Sequence, residues 1–186
     1  TIVSKVLAKF GQIDFLVNNA AYGYISETAN VDLTAAKNQF EVNFWAYVDL
    51  VKAVIPIMKA ARGGYIVNMA SIMGQYTDAL PHASGFYAAS KHAVFGWSKS
   101  LEKELSSSGI RVKIISPGGV DTPLFDNMVG PERASVVDFG KAFRFSFDSP
   151  EFIAAAALRS LADDEIVFYP GQGRFLRTYF NWICLL

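Results

Sequence analysis

Three short apolar runs, each followed by a polar or glycine-rich turn, constrain this chain more than any other feature. Ile13-Asp14-Phe15-Leu16-Val17 runs into Asn18-Asn19, Tyr65-Ile66-Val67-Asn68-Met69 leads to Ser71, and Val112-Lys113-Ile114-Ile115 ends at Pro117-Gly118-Gly119. Between the runs the apolar spacing switches to the helical period. One helix stops at Gly11, after Phe10. A long second helix, capped at Asp32-Leu33-Thr34, carries Phe40, Phe44, Tyr47, Val48, Val51 and Ile55, has Pro56 late in it and ends at Gly63-Gly64. A third is expected from about Phe86 to Ser106, stopped by Gly109. Helices alternating with short buried strands predict an α/β layered domain with a parallel sheet. After the third run the reading is a Phe-rich irregular stretch to about Ser149, then a helix started by Ser149-Pro150-Glu151. A last strand is expected at Ile166-Val167-Phe168-Tyr169.

Composition narrows the function classes. At 52% hydrophobic and 14% aromatic over 186 residues, the chain is long enough and apolar enough to bury one substantial core. Lys+Arg and Asp+Glu both number 17, so nothing points to nucleic acid or an anionic membrane surface. Cys184 is the single cysteine, which excludes a disulfide framework and makes a reducing, cytoplasmic setting the expectation. With His82 and His92 as the two histidines, no metal site is expected. No run is long and apolar enough to read as a membrane span. The chain opens at Thr1 with Ile2, Val3, Val6, Leu7 and Phe10 already at helical spacing, without an initiator Met, a cap or a targeting pattern. It reads as a fragment whose beginning, and any anchor there, lies upstream.

In open α/β sheets the ligand crevice lies outside the carboxyl ends of the strands. The turns at Asn18-Asn19, Ser71 and Pro117-Gly118 therefore converge on a candidate site. A helix after the second strand adds Tyr87-Ala-Ala-Ser-Lys91, whose phenol and ammonium are four positions apart and share one helix face. Bringing a phenol from its usual pKa near 10 to about 7 takes on the order of 4 kcal/mol. A unit charge at about 4 Å with an effective dielectric near 20 supplies roughly that. The spacing thus suits an acid/base for an alcohol oxygen, although the same pair on a surface helix is as readily two solvated neighbours. Ser71 by itself reads as a loop serine bonding its own backbone. Asn43 reads as a buried helix asparagine that shapes the backbone, and Pro117-Gly118 by itself as an ordinary turn.

Asn18-Asn19-Ala20-Ala21, Asn43 in Val42-Asn43-Phe44, Ser71 in Met69-Ala70-Ser71, Tyr87-Ala-Ala-Ser-Lys91 and Pro117-Gly118-Gly119-Val120-Asp121-Thr122 occur in an order that resembles the short-chain dehydrogenase/reductase family. The resemblance covers residues 1 to about 125. It implies a Rossmann-type doubly wound parallel sheet that binds NAD or NADP, here missing its first βαβ portion of about 70 residues. Residues 1–186 then form one partial domain, with 1–125 as sheet and catalytic core and 126–186 as a variable substrate-covering and C-terminal region. The implied activity is hydride transfer between NAD(P) and a carbonyl or secondary alcohol. Tyr87 is the implied acid/base, Lys91 lowers its pKa and holds the nicotinamide ribose, Ser71 polarises the substrate oxygen, and Asn43 holds a relay water. Cofactor contacts are implied for Asn19, Ala20, Ala21, Tyr87, Lys91, Pro117, Gly118, Val120 and Thr122.

The departures from the family pattern are local. Ala21 stands where the family turn has Gly, and Ser71 and Tyr87 are 16 positions apart, a longer interval than usual. The extra residues, Thr77 to His82, are expected to bulge over the substrate mouth, with His82 a loop residue. Phe139, Phe143, Phe145 and Phe147 form either an apolar lid for a lipophilic substrate or core beneath the last helix. The family resemblance also implies a homodimer or homotetramer through the two long helices, which carry surplus apolar residues at Trp45 and Trp97. Alternative readings are a nucleotide-sugar epimerase or dehydratase of the same fold, and a catalytically inactive truncated subunit.

Overall fold

The computed structural model describes residues 1–77, 83–143 and 147–170, with the side chains of 139, 140, 142 and 143 excepted. Four parallel strands lie side by side in chain order: β1 (Phe15–Asn18), β2 (Gly64–Met69), β3 (Ile110–Ile115) and β4 (Val167–Phe168). Helices fill the crossovers, as parallel pairing requires. The first crossover holds α2 (Leu33–Phe40), a π turn (Glu41–Trp45) and α3 (Ala46–Ala60). The second holds α4 (Gly85–Leu105), and the third holds α5 (Arg133–Phe143) and α6 (Pro150–Ser160). Helix α1 (Ile2–Phe10) precedes β1.

The two-residue period of the strands sorts their side chains onto two faces. Leu16, Ile66 and Val112 meet Val51, Val54 and Met58 of α3 and Leu101 and Leu105 of α4. On the other face Val67 and Ile115 pack against Ile153, Ala157 and Leu161 at α6. That second layer stops short of β1, where Phe15 and Val17 are 53% and 58% exposed. The run at 13–17 predicts a buried strand, and this is a correction. β1 is an edge strand covered on one face, and Phe15 finds partial shelter by stacking on Tyr65 at 5.3 Å.

Local chemistry sets the helix ends. Contrary to the expectation of an uncapped start, Thr1 Oγ1 accepts from Ser4 N at 3.2 Å and caps α1. Asp32 accepts from Thr34 N at 2.8 Å, and Ser149 accepts from Phe152 N at 3.1 Å. Helix α5 replaces the irregular stretch expected before Ser149. Among its described side chains Val136 alone is buried. The segment 78–82 with His82, the side chains of Phe139 and Phe143, and residues Phe145 and Cys184 lie outside the described residues.

Buried polar groups tie sheet to helix. Asn18 Nδ2 donates to Asn68 Oδ1 and Asn68 Nδ2 donates to Ser98 Oγ, both at 2.8 Å, and none of the three side chains is more than 2% exposed. Ser98 lies seven residues after Lys91, two turns along the same face of α4. On β3, Lys113 is almost wholly buried, and its ammonium donates to the carbonyls of Asp163 and Glu165 at 2.6 and 2.7 Å, pinning the loop before β4. The Asn68→Leu variant leaves Asn18 Nδ2 and Ser98 Oγ without this partner in the interior. At about 1–3 kcal/mol for each stranded group, it should lose at least about 2 kcal/mol. Urea unfolding followed by circular dichroism measures this, and an unchanged midpoint counts against the chain's structural weight.

Candidate active site

Helix α4 presents Tyr87 and Lys91 one turn apart on its buried face, 5% and 2% exposed. The Lys91 ammonium donates to Met69 O at the end of β2 at 2.9 Å and stands 5.9 Å from the Tyr87 ring centre and 6.0 Å from that of Tyr47. Ser71 follows β2 and caps a short 3₁₀ turn, with Oγ accepting from Met73 N at 3.2 Å. That turn packs on the backbone of α4. A Cβ added at Gly74 would come within 2.7 Å of Lys91 O, so a hydrogen is the largest group that fits there. The strand-end turns are knit together as well, with Ala70 N donating to Ile115 O at 2.8 Å and Ile72 N to Pro117 O at 2.9 Å.

These elements surround one cavity of about 1150 Å³ at the carboxyl ends of the strands. Ser71, Tyr87 and Lys91 line it; Asn19, Ala20 and Ala21 line one side, and Pro117, Gly118, Val120 and Thr122 line another. Of the residues singled out from the sequence, Asn43 is the one that stands back from the wall. It is fully buried in the π turn, its Oδ1 accepts from Tyr22 N, and its Nδ2 donates to Tyr22 O and to Ser90 Oγ, each at 3.0 Å. Its side chain therefore braces the turn after β1 against α4, as a buried helix asparagine does. Such π turns recur where a helix must present a residue out of regular register.

Electrostatics differ from the sequence expectation. Burial pushes the Tyr87 phenol above its ordinary value of 10 rather than toward 7. Burial also brings the Lys91 ammonium down from 10.5 to about 8. Both groups lose water, which disfavours the charged form of each. At about 6 Å and an effective dielectric near 20 their attraction is worth about 3 kcal/mol, too little to reverse that loss for the phenol. At neutral pH the pair is a neutral phenol beside a charged ammonium, which is a proton donor with a cation behind it. Among the described residues no group of three or more His, Cys, Asp and Glu side chains could hold a metal ion, and no helix is long and apolar enough to cross a membrane.

Sequence reasoning missed Gln39, Tyr47, Ser90 and Ser98, which hold the site from behind. Tyr47 was legible as an apolar helix residue, while its hydroxyl donates to Ala20 O at 3.1 Å. Gln39 accepts from Tyr24 N. The signal available was the four-residue spacing of Gln39, Asn43 and Tyr47, too common on helices to be read unaided.

A parallel α/β sheet with a serine, a tyrosine and a lysine gathered at its carboxyl end is a Rossmann-type layered fold with its polar groups where such sheets take their ligands. The chain belongs to the short-chain dehydrogenase family, whose model matches residues 1–132. It is 35% identical over 176 residues to a 3-oxoacyl-[acyl-carrier-protein] reductase of Thermotoga maritima, covering 92% of this chain and 67% of that one. It is 37% identical over 129 residues to retinol dehydrogenase 8 of Bos taurus, covering 69% of this chain and 40% of that protein. A solved short-chain dehydrogenase/reductase from Burkholderia phymatum, in complex with NAD, superposes with a TM-score of 0.83 at 24% identity, over 95% of this chain and 67% of that one.

The lowered Lys91 pKa has a signed consequence for stability. Between about pH 8 and 10.5 the unfolded chain binds a proton that the folded chain does not, so stability rises with pH across that window, and below pH 8 the full burial penalty applies. The shift corresponds to roughly 3 kcal/mol, offset by about 1 for the lost bond to Met69 O. Lys91→Met is therefore expected to be more stable than the parent by roughly 2 kcal/mol at pH 7, with the advantage shrinking between pH 8 and 10. Urea midpoints at the two ends of that range test this, and an equal difference at both would show that the lysine does not titrate there.

Proposed function

We propose that this chain carries the catalytic core of an NAD(P)-dependent oxidoreductase that interconverts a carbonyl and a secondary alcohol. The observation that carries the reading is the convergence of Ser71, Tyr87 and Lys91 on one cavity wall with the turns at 19–21 and 117–122. Residues 1–125 hold β1–β3 and the catalytic groups, and the region after 125 adds α6 and the sheet's β4 and covers the substrate. The donor set fits a nicotinamide riboside: Lys91 supplies a buried cation, and the backbone turns at Asn19–Ala21 and Pro117–Gly118 line the adjoining wall. The cofactor, when bound, supplies or accepts the hydride.

The chain's own residues handle the oxygen and the proton. Ser71 Oγ accepts from Met73 N, so its own proton is left to polarise a substrate carbonyl where negative charge develops. Tyr87, protonated at neutral pH, donates to the nascent alkoxide. The Lys91 charge, 5.9 Å from the Tyr87 ring centre, stabilises the phenolate left behind. A lipophilic substrate suits the far wall, where Ile25, Leu124, Phe125, Met128, Val136 and Phe147 supply apolar surface. The bacterial relative is a 3-oxoacyl-[acyl-carrier-protein] reductase and the bovine one a retinol dehydrogenase, both in agreement with that chemistry.

In the complete protein, Tyr87→Phe removes the donor and keeps the packing. Turnover is expected to fall by about 10²–10⁴ with NAD(P)H affinity retained, read by nicotinamide absorbance and fluorescence titration. Near-normal turnover of a competent ketone by the variant would sink the assignment. For assembly, Trp45 is half exposed beside Phe44, which meets it edge-on at 4.9 Å and also meets Trp97, at 5.7 Å. A homodimer or homotetramer that joins the faces of α3 and α4 covers these rings. Light scattering should find an oligomer for the complete protein and a monomer for Trp45→Glu, whereas a monomer in both cases rules out this surface.

A further inference from the structure

Residues 20–25 leave β1 as an extended segment with two hydrogen-bonding edges. On one edge, side chains of the first crossover take alternate residues: Tyr47 donates to Ala20 O, Asn43 clasps Tyr22 N and O, and Gln39 accepts from Tyr24 N. On the other edge the segment before α5 pairs with the residues between. Val129 N donates to Gly23 O at 2.9 Å and Ile25 N donates to Val129 O at 2.8 Å, forming a parallel bridge at Tyr24 and Val129. Glu132 N adds a bond to Ile25 O at 3.3 Å. The pairing is close. Gly130, at φ 110, lies where an added Cβ would overlap the backbone of Ile25.

The match on the helix side is geometric. Four helical residues rise about 6 Å and two extended residues about 6.6 Å, so steps of four on the helix keep pace with steps of two on the segment. In an unbroken α-helix Gln39 and Tyr47 would lie about 80° apart around the axis. The π turn at Glu41–Trp45 inserts one residue between them and takes back part of that rotation. The three side chains are thereby brought to one line facing the segment.

We propose that Gln39 is a positioning residue for the substrate-covering segment, acting through the Tyr24 amide to present Gly23 O and Ile25 N to Val129. Tyr47 sets the cofactor end of the same segment, at Ala20, and Asn43 the middle. Gln39 is fully buried, and among the described residues its Nε2 has no partner and its side chain bonds through the acceptor bond to Tyr24 N. Ile25 in turn packs with Met128 and Val136 on the cavity wall. The consequence for substrate rests on the proposed oxidoreductase function; the positioning does not.

The test compares the complete protein with Gln39→Met, which keeps the volume and removes the acceptor. Hydrogen exchange by mass spectrometry should accelerate about tenfold in peptides covering 23–27 and 127–132 and remain unchanged over 85–105. With NADPH or NADH and a series of straight-chain 2-alkanones, KM should rise several-fold with a smaller change in kcat. Acceleration spread equally over 85–105 would mean general destabilisation, and no acceleration at 127–132 would mean that Gln39 does not hold that segment. Either result overturns the proposal. Absence of turnover on any ketone by the parent protein would count against the function, while the exchange measurement still decides the positioning.

Discussion

An interior carboxamide costs least where both its ends find partners, and Asn68 meets that demand by reaching across two layers. Its oxygen takes the Asn18 amide on the neighbouring strand and its nitrogen takes the Ser98 hydroxyl on α4. Apolar packing alone would let α4 roll on the sheet with little penalty, because dispersion contacts are many and undirected. The polar chain removes that freedom. With Ser98 fixed, Lys91 two turns earlier faces Met69 O, and Tyr87 one turn before that faces the cavity. The position of the acid follows from a hydrogen bond made about three turns away.

Burial does two opposed things at this centre. It holds the phenol protonated and at the same time weakens the cation that would stabilise its conjugate base. An ammonium with a pKa of about 8 still carries most of its charge at pH 7. It retains that charge with help from one backbone carbonyl. The low dielectric that lowers its pKa also makes its field felt more strongly at the phenol oxygen, at the moment when negative charge forms there. Solvation is lost in the resting state and recovered as preorganised electrostatics in the transition state.

What could be read from the sequence was what is local. Strand ends, helix caps at Asp32 and Ser149, the stop at Gly109 and the Tyr87/Lys91 spacing each depend on a few consecutive residues, and they appear where expected. The converging turns were legible for the same reason, since parallel topology puts every strand end on one side. The exposure of Phe15 and Val17 was not, because it depends on what lies beside and over β1, the outermost of the four described strands. Helix α5 was missed because Phe139 and Phe143 were read for what they cover, not for their helical spacing with Val136. The phenol's pKa was misjudged because spacing reports the cation and says nothing of the lost water. Gln39 and Tyr47 bond to backbone atoms 15 and 27 residues away, and no local pattern records such partners.

The two-edged segment at 20–25 also bears on how this site can change over generations. Its catalytic edge is held by side chains, so drift at Gln39, Asn43 or Tyr47 is felt at once. Its outer edge is held to Val129 through main-chain atoms alone, and main-chain pairing is indifferent to which side chains the partner carries. Apart from Gly130, the buried Met128 and Val136, and Glu132, whose side chain accepts from Glu27 N, residues 124–136 can vary in bulk and polarity while docking in the same place. A fold built this way can explore new substrates by redecorating a detachable wall, with the proton chemistry insulated on the far side of one extended strand.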